Sequence, residues 1–323
     1  LSSIDTVPSV IIPSHNQLPL LKNALRSLEA QTWSLEKLEV VVVDDGSEDG
    51  TGDFLRSYSG KLRLRPVCHQ EAKGRAGARN AGLQAATGDP IILLDGDMEA
   101  APEFVEAHIS EGRSEAAVLG RVLYHPDIRR SALTRYYPSR GGWKRRGAAE
   151  ISGRYFVTLN ASLPRWAYEK VGLFDENFRA YGGEDLDYGV RLQKAGVPFR
   201  TSARALSFHH HLRTLPEILG TLEKYGKESI PYLIQKHPEL LDEMKLSLAM
   251  PLKYLQPKSP AVILKNLLVR AVSLGVFYHP FRWLAMLLEP FWIPGWVMNY
   301  LIFRNYSKGY IGSLKSEDSS VVK

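Results

Sequence analysis

Two unbroken apolar runs, Val40-Val41-Val42-Val43 and Ile91-Ile92-Leu93-Leu94, each break off into acidic residues: Asp44-Asp45 after the first, Asp95-Gly96-Asp97 after the second. A strand that is apolar on both faces must be covered on both, which is the situation inside a parallel sheet flanked by helices. The segments between such runs have helical period, as where Leu21, Leu25 and Leu28 share a face between Leu18 and Ala30. Ser9 to Pro13 reads as a further buried strand, Asp53 to Tyr58 as a helix, Leu62 to Val67 as a strand and Ala76 to Ala86 as a helix. One more helix and strand fit between Pro102 and Val122, then a strand from Arg154 to Asn160 and a helix from Glu184 to Ala195 ended by Gly196 and Pro198. This βαβα order predicts an α/β fold with a doubly wound, mostly parallel sheet, and ligands at the carboxyl ends of its strands.

After His211 the pattern changes to helices punctuated by prolines, and from Ala261 to Tyr310 it is aromatic and apolar with interspersed Lys265, Arg270, Arg282, Arg304 and Lys308. A helical C-terminal extension over 212–323 therefore follows a domain over 1–211. The formal net charge is +6, and the excess is local: Arg129, Arg130, Arg135, Arg140, Lys144, Arg145 and Arg146 stand together without an acidic residue. Such a patch fits an anionic partner or membrane surface, or else a solvated loop, rather than a general preference for nucleic acid. The single cysteine, Cys68, cannot form an internal disulfide, and no secretory h-region opens the sequence. A cytoplasmic protein is the expectation.

Acidic pairs at strand ends project into the ligand crevice, where mutual repulsion penalises them unless a cation or a donor is bound. Alone, Asp95-Gly96-Asp97 is also ordinary turn chemistry. It stands in a longer series, however: Ser9-Val-Ile-Ile-Pro-Ser-His-Asn16, Val40-Val-Val-Val-Asp-Asp-Gly-Ser47, Gly77-Ala-Arg-Asn-Ala-Gly82, Leu93-Leu-Asp-Gly-Asp97, Gly172-Leu-Phe-Asp-Glu-Asn-Phe178 and Gly182-Gly-Glu-Asp-Leu-Asp187. In order and spacing these resemble the family 2 glycosyltransferases of GT-A fold. The last motif is similar to the acceptor-side motif of bacterial chondroitin polymerases and β-1,4-galactosyltransferases. The resemblance covers roughly residues 7 to 211.

The resemblance implies a nucleotide-binding part over about 1–100 and an acceptor-side part over about 101–211. By it, Asp45 holds the nucleotide base, Pro13 and His15 flank it, and Arg79, with Arg75 as a second candidate, meets the diphosphate at a helix start. Asp95 and Asp97 form the pair that holds a divalent cation against that diphosphate, with a histidine from His209-His210-His211, aligned best at His209, completing the shell. Oxygen ligands suit Mg²⁺ or Mn²⁺, and the imidazole favours Mn²⁺. Asp185 is the implied catalytic base, since a sugar hydroxyl must lose its proton to attack the anomeric carbon. Glu184, Tyr181 and Asn160 are implied acceptor contacts; relatives often have tryptophan where Tyr181 stands.

The implied reaction is an inverting transfer from a nucleotide sugar, most often a UDP-sugar in this family, to a saccharide or lipid-linked acceptor. A retaining enzyme of the same fold, or an inactive sugar-nucleotide module, is the alternative. A dinucleotide oxidoreductase would need a glycine-rich turn after the first strand, where Pro13-Ser-His-Asn-Gln-Leu18 stands instead. In the tail, Leu264, Leu267, Leu268 and Ala271 share a helical face, while the charge-free stretch from Pro290 to Phe303 falls short of the roughly 20 residues a spanning helix needs. The tail thus lies on the cytosolic face of a membrane, or packs as a subdomain or dimer interface.

Overall fold

The computed structural model describes residues 7–140, 142, 151–254 and 259–321, with side chains as far as residue 316 in the last stretch. Two compact units emerge: Leu1–Arg129 with Tyr137–Asn177 and Glu184–Leu212, and Arg130–Tyr136 with Phe178–Gly183 and Arg213–Lys323. A division at residue 211 does not anticipate the two short segments that join the second unit.

In chain order the first unit has β1 (Ser9–Ser14), α1 (Leu18–Glu29), β2 (Glu39–Asp45), α2 (Thr51–Arg56), β3 (Arg63–His69), α3 (Gly74–Ala85), β4 (Ile91–Leu94), β5 (Met98–Ala100), α4 (Phe104–Gly112) and β6 (Ala117–Tyr124). Helix α5 (Ala132–Tyr136) belongs to the second unit. The first unit resumes with β7 (Asn160–Leu163), α6 (Arg165–Val171), α7 (Glu184–Lys194) and β8 (Phe199–His209). The strands form one sheet in the order β3-β2-β1-β4-β7-β6-β8-β5. Pairings among β3, β2, β1 and β4 are parallel, as is β6 with β8; β7 runs antiparallel to β4 and β6, and β5 antiparallel to β8.

The reason for the unbroken apolar runs is visible in the core. Ile11, Val41, Val43, Ile91 and Leu93 join one buried cluster with Leu83, Phe174 and Tyr188, while Val10, Ile12, Val40, Val42, Ile92 and Leu94 join another with Leu21, Leu25, Leu28 and Phe104. Successive residues of each strand supply opposite layers, so both faces must be apolar.

Three differences from the sequence reading lie beyond β4. Arg154 to Asn160 is not a strand: residues Gly153–Tyr155 form a 3-10 turn, and the strand begins only at Asn160. The turn lies flush against α7, where a Cβ on Gly153 would come 2.1 Å from the Gly189 carbonyl and one on Gly189 equally close to that of Gly153. Strands β5 and β8, not foreseen, close the edge of the sheet; β8 carries polar residues and a register shift opposite Gly120/Arg121, which hides its period. The basic segment is not wholly loop, since α5 lies within it and the Arg135 guanidinium donates to the Phe291 carbonyl; Lys144, Arg145 and Arg146 lie outside the described residues.

The second unit contains α8 (Leu215–Glu228), α9 (Ile230–Lys236), α10 (Leu240–Glu243), α11 (Pro260–Val272), α12 (Gly275–Leu288) and α13 (Gly295–Val321). Helix α8 starts in a capping box between Thr214 and Glu217 and crosses α13 at two glycines. A Cβ on Gly226 would lie 2.0 Å from the Tyr306 carbonyl, and one on Gly309 2.1 Å from that of Glu223. Ile230, Leu246, Met250 and Tyr310 form the buried centre. Helix α11 docks through a polar residue: the Asn266 amide donates to the Ser247 and Met250 carbonyls, both at 3.0 Å, while Leu264, Leu267 and Leu268 stay exposed. Helices α11 and α12 meet at a 60° bend, and among the described residues no single helix is long and apolar enough to cross a membrane.

Candidate active site

The site is built where β1, β2 and β4 end and α7 begins. At its centre the Arg79 side chain, on α3 and only 3% exposed, reaches three carboxylates: Asp95 at 3.1 Å, Glu184 at 3.0 Å and Asp185 at 3.3 Å. The two members of the Glu184-Asp185 pair, over 100 positions downstream of Arg79, are thereby joined to the first residue of the Asp95-Gly96-Asp97 turn. A buried guanidinium tolerates desolvation only with such partners, and they hold it firmly protonated.

Asp185 sits in the first turn of α7, where the helix dipole favours the anion. The Thr158 amide and hydroxyl donate to its two oxygens at 3.2 and 3.1 Å. Burial pushes its pKa up to about 6; Arg79 opposes that rise, while Glu184 and Asp95 add to it. A carboxylate near 6 is a better proton acceptor than an ordinary aspartate yet remains ionised at neutral pH. Thr158 carries no sequence signal of its own, because its role depends on the turn before β7.

Asp97 takes a different partner from Asp95. Its carboxylate lies 2.9 Å from His209 Nε2; burial raises its pKa, but His209 together with a backbone hydrogen bond and His211 offsets that and holds it below the usual carboxylate range. Of the histidine triplet, His209 therefore faces Asp97, whereas His210 faces Glu99 at 2.9 Å. Asp95, by contrast, is turned to Arg79 through Oδ1.

On the nucleotide side, Asp45 organises the loop before α3. Its oxygens accept from the Lys73 and Gly74 amides at 2.8 and 2.9 Å and meet His69 Nδ1 at 2.8 Å. His15 follows Pro13 at the end of β1 and donates from Nδ1 to the Asp45 carbonyl at 2.8 Å. Arg75 is exposed on the first turn of α3. Tyr181 belongs to the second unit, where the Arg213 guanidinium lies 5.0 Å from its ring centre.

Asn160 is a correction. It is 1% exposed, and its amide is spent inside the sheet: Nδ2 donates to the Arg121 and Ala205 carbonyls and the Ser207 hydroxyl, while Oδ1 accepts from His108 Nε2 at 3.0 Å. Burial pushes the His108 pKa down to about 4, so it stays neutral and accepts from Ser162 through Nδ1. Asn160 holds strands together and cannot touch an acceptor.

The residues present fit a polar, charged ligand with a cation. Glu184 Oε2, Arg79 Nε and Ser14 Oγ are buried without a hydrogen-bond partner among the described residues, a costly state that an incoming polar group would relieve. Asp97 and His209 form a carboxylate–imidazole pair of the type that Mn²⁺ accepts.

A mostly parallel, helix-covered sheet whose strands end on Asp45, Asp95 and Asp97 defines the GT-A class, the nucleotide-diphospho-sugar transferase fold. Residues 9–167 match the profile of glycosyl transferase family 2, and the chain belongs to that family. It is 32% identical over 268 residues to a validoxylamine A glucosyltransferase of Streptomyces hygroscopicus subsp. jinggangensis, covering 73% of this chain and 62% of that protein. It is 27% identical over 268 residues to a chondroitin synthase of Pasteurella multocida, covering 71% of this chain and 28% of that one. Among solved structures, a mannosyltransferase from Pyrobaculum calidifontis in complex with GDP-Man and Mn²⁺ superposes with a TM-score of 0.63 at 18% identity, covering 97% of this chain and 88% of that one. The chain spans 58–64% of the length of three of its curated relatives.

Proposed function

We propose that the chain is an inverting, divalent-metal-dependent glycosyltransferase that moves a sugar from a nucleotide diphosphate, a UDP-sugar foremost, to a saccharide or lipid-linked acceptor. The observation that carries this reading is Asp185: a carboxylate of raised pKa at a helix start, tied through Arg79 to Asp95. In this reading Asp185 takes the proton of the acceptor hydroxyl as it attacks the anomeric carbon, and Glu184 receives neighbouring acceptor hydroxyls through its unpartnered Oε2. Arg79 keeps both carboxylates aligned through its contacts with Glu184 and Asp185. Asp97 and His209, with Asp95 on the donor side, would hold Mn²⁺ or Mg²⁺, which supplies positive charge for the departing diphosphate. Structures of the same fold support the donor class, one holding GDP-Man with Mn²⁺ and another, S. aureus TarS, holding UDP-GlcNAc.

A thermal-shift screen of nucleoside diphosphates with Mn²⁺, followed by turnover of the matching nucleotide sugar, tests the reading. Excess EDTA should abolish turnover, and Asp97→Ala should cost more than His209→Ala, because a charged oxygen contributes more to a hard cation than a neutral imidazole does. Turnover that persists undiminished in EDTA rules the metal role out.

We further propose that the second unit holds the enzyme on an anionic membrane surface. Helix α11 turns its leucines outward, Leu264 being 59% exposed, and Val276, Trp283, Phe291, Trp292 and Trp296 are exposed on α12 and beyond, at 62–72%. Lys265, Arg270 and Arg282 lie among them. An apolar area of this extent, rimmed by indoles and cations, suits the headgroup boundary, where each basic residue adds about 1 kcal/mol on anionic lipid. The full chain should float with vesicles containing phosphatidylglycerol, less so as salt rises, and Leu268→Glu with Trp283→Glu should abolish flotation without changing the far-UV circular dichroism. A full chain that ignores such vesicles at low salt, or a dimer that the same substitutions split, would assign this face to protein packing.

A further inference from the structure

On the sheet edge, a second cluster of ligand-type side chains lies apart from the Asp97–His209 pair. Glu99 is on β5, His125 follows β6 and His210 follows β8. Met98 stands opposite His209 and Glu99 opposite Phe208 in the β5–β8 ladder. Alternation along a strand puts Met98 and His209 on one face and Glu99, Phe208 and His210 on the other. The contacts follow that division: His209 meets Asp97 and the Tyr124 ring, whereas His210 meets Glu99 and stacks on His125 with ring centres 4.2 Å apart.

We propose that Glu99, His125 and His210 form a second cation site, selective for Zn²⁺-type ions. One ligand atom from each side chain lies within 4.8 Å of the others. Glu99 Oε2 is 2.9 Å from His210 Nε2 and 3.8 Å from His125 Nε2. Bonds of about 2.0–2.1 Å in tetrahedral arrangement separate neighbouring ligand atoms by roughly 3.3 Å, and the two observed distances bracket that edge. The stacked rings need only pivot about their Cβ–Cγ bonds for the nitrogens to converge.

A second acidic group lies beside one of the ligands. The Asp127 carboxylate lies 3.4 Å from His125 Nδ1, and the Asp127 backbone amide donates to that nitrogen at 3.3 Å. For Nε2 to bind the ion the ring proton must move to Nδ1, where the Asp127 carboxylate, 3.4 Å away, would accept it. All three ligating side chains are partly exposed, between 16% and 35%, so an ion can enter and a water can complete the tetrahedron. Two imidazoles and one carboxylate favour Zn²⁺ over Mg²⁺, which prefers oxygen alone.

The full-length, metal-stripped protein titrated with Zn²⁺, and with Co²⁺ as a spectroscopic substitute, tests this without reference to catalysis. One equivalent of Co²⁺ should bind without nucleotide and give the intense visible bands of a tetrahedral site. Glu99→Gln and His125→Ala should each weaken that binding at least 100-fold, and Asp127→Asn by roughly 10-fold. Asp97→Ala and His209→Ala should leave the bands in place. Should His125→Ala fail to fold, the near-isosteric Glu99→Gln carries the test. Unchanged Zn²⁺ affinity in Glu99→Gln, or bands lost in His209→Ala and kept in His125→Ala, would overturn the second site while leaving the catalytic proposal untouched.

Discussion

Asp185→Asn is expected to lower turnover about 10²–10⁴-fold while nucleotide affinity stays within a factor of a few, the range for losing a general base. The change keeps the size of the side chain and its contacts with Thr158, so binding on the donor side should survive. In the parent enzyme kcat/KM should fall as pH drops through about 6, where Asp185 takes up its proton, and residual activity of the variant should not follow that limb. Stability should move the opposite way. A folded pKa raised from 3.8 to about 6 means that the stabilising form is the protonated one. That contribution is full below about 3.8 and lost as pH rises through about 6. Asparagine mimics the protonated form, so the variant should be more stable than the parent at pH 7.5, by about 1–3 kcal/mol, and indistinguishable near pH 4. A variant that loses nucleotide binding but keeps saturating turnover would make Asp185 a donor ligand. The anomer of the product, read by NMR, checks inversion independently.

Arg79→Met should be the most destabilising single change at the site, by about 3–5 kcal/mol, because it strips the cation from three carboxylates at once and leaves Glu184 buried without a counter-charge. The urea midpoint of the catalytic unit is the measurement. Adding Glu184→Gln to Arg79→Met should restore part of the loss, since the uncompensated charge, rather than the missing side-chain volume, is the main cost. If Arg79→Met melts with the parent, the guanidinium does not hold the three carboxylates together and serves the donor alone.

How much of this was legible beforehand depends on where the determinants lie. Val40–Val43 and Ile91–Leu94 announced a doubly covered sheet because each residue answers to its own layer, and the acidic residues after them marked the ligand end. Strand β8 was not legible: its partners are at β6 and β5, and its Arg and Ser residues reflect a sheet edge rather than an alternating core. Asn160 invites a binding role because it is a polar residue in a motif-rich domain, whereas its Nδ2 is taken up by β6 and β8 and its Oδ1 by His108 of α4, all remote in sequence. The partners of Arg79 were invisible for the same reason. A motif names residue types in order, but it does not say that a basic residue near one strand will neutralise a pair a hundred positions on.

The glycine crossing of α8 and α13 bears on how the chain is made. Gly226 emerges from the ribosome some eighty residues before Tyr306, the residue on which it rests. Through that interval α8 lacks the cover of α13, and the outward-facing leucines of α11 and the indole of Trp283 on α12 are synthesised in the meantime. The first unit can fold as it emerges, but the second must wait for its last helix. During that wait its apolar surface is open to aggregation, and a shortened gene that stops before α13 should produce a chain held in that state.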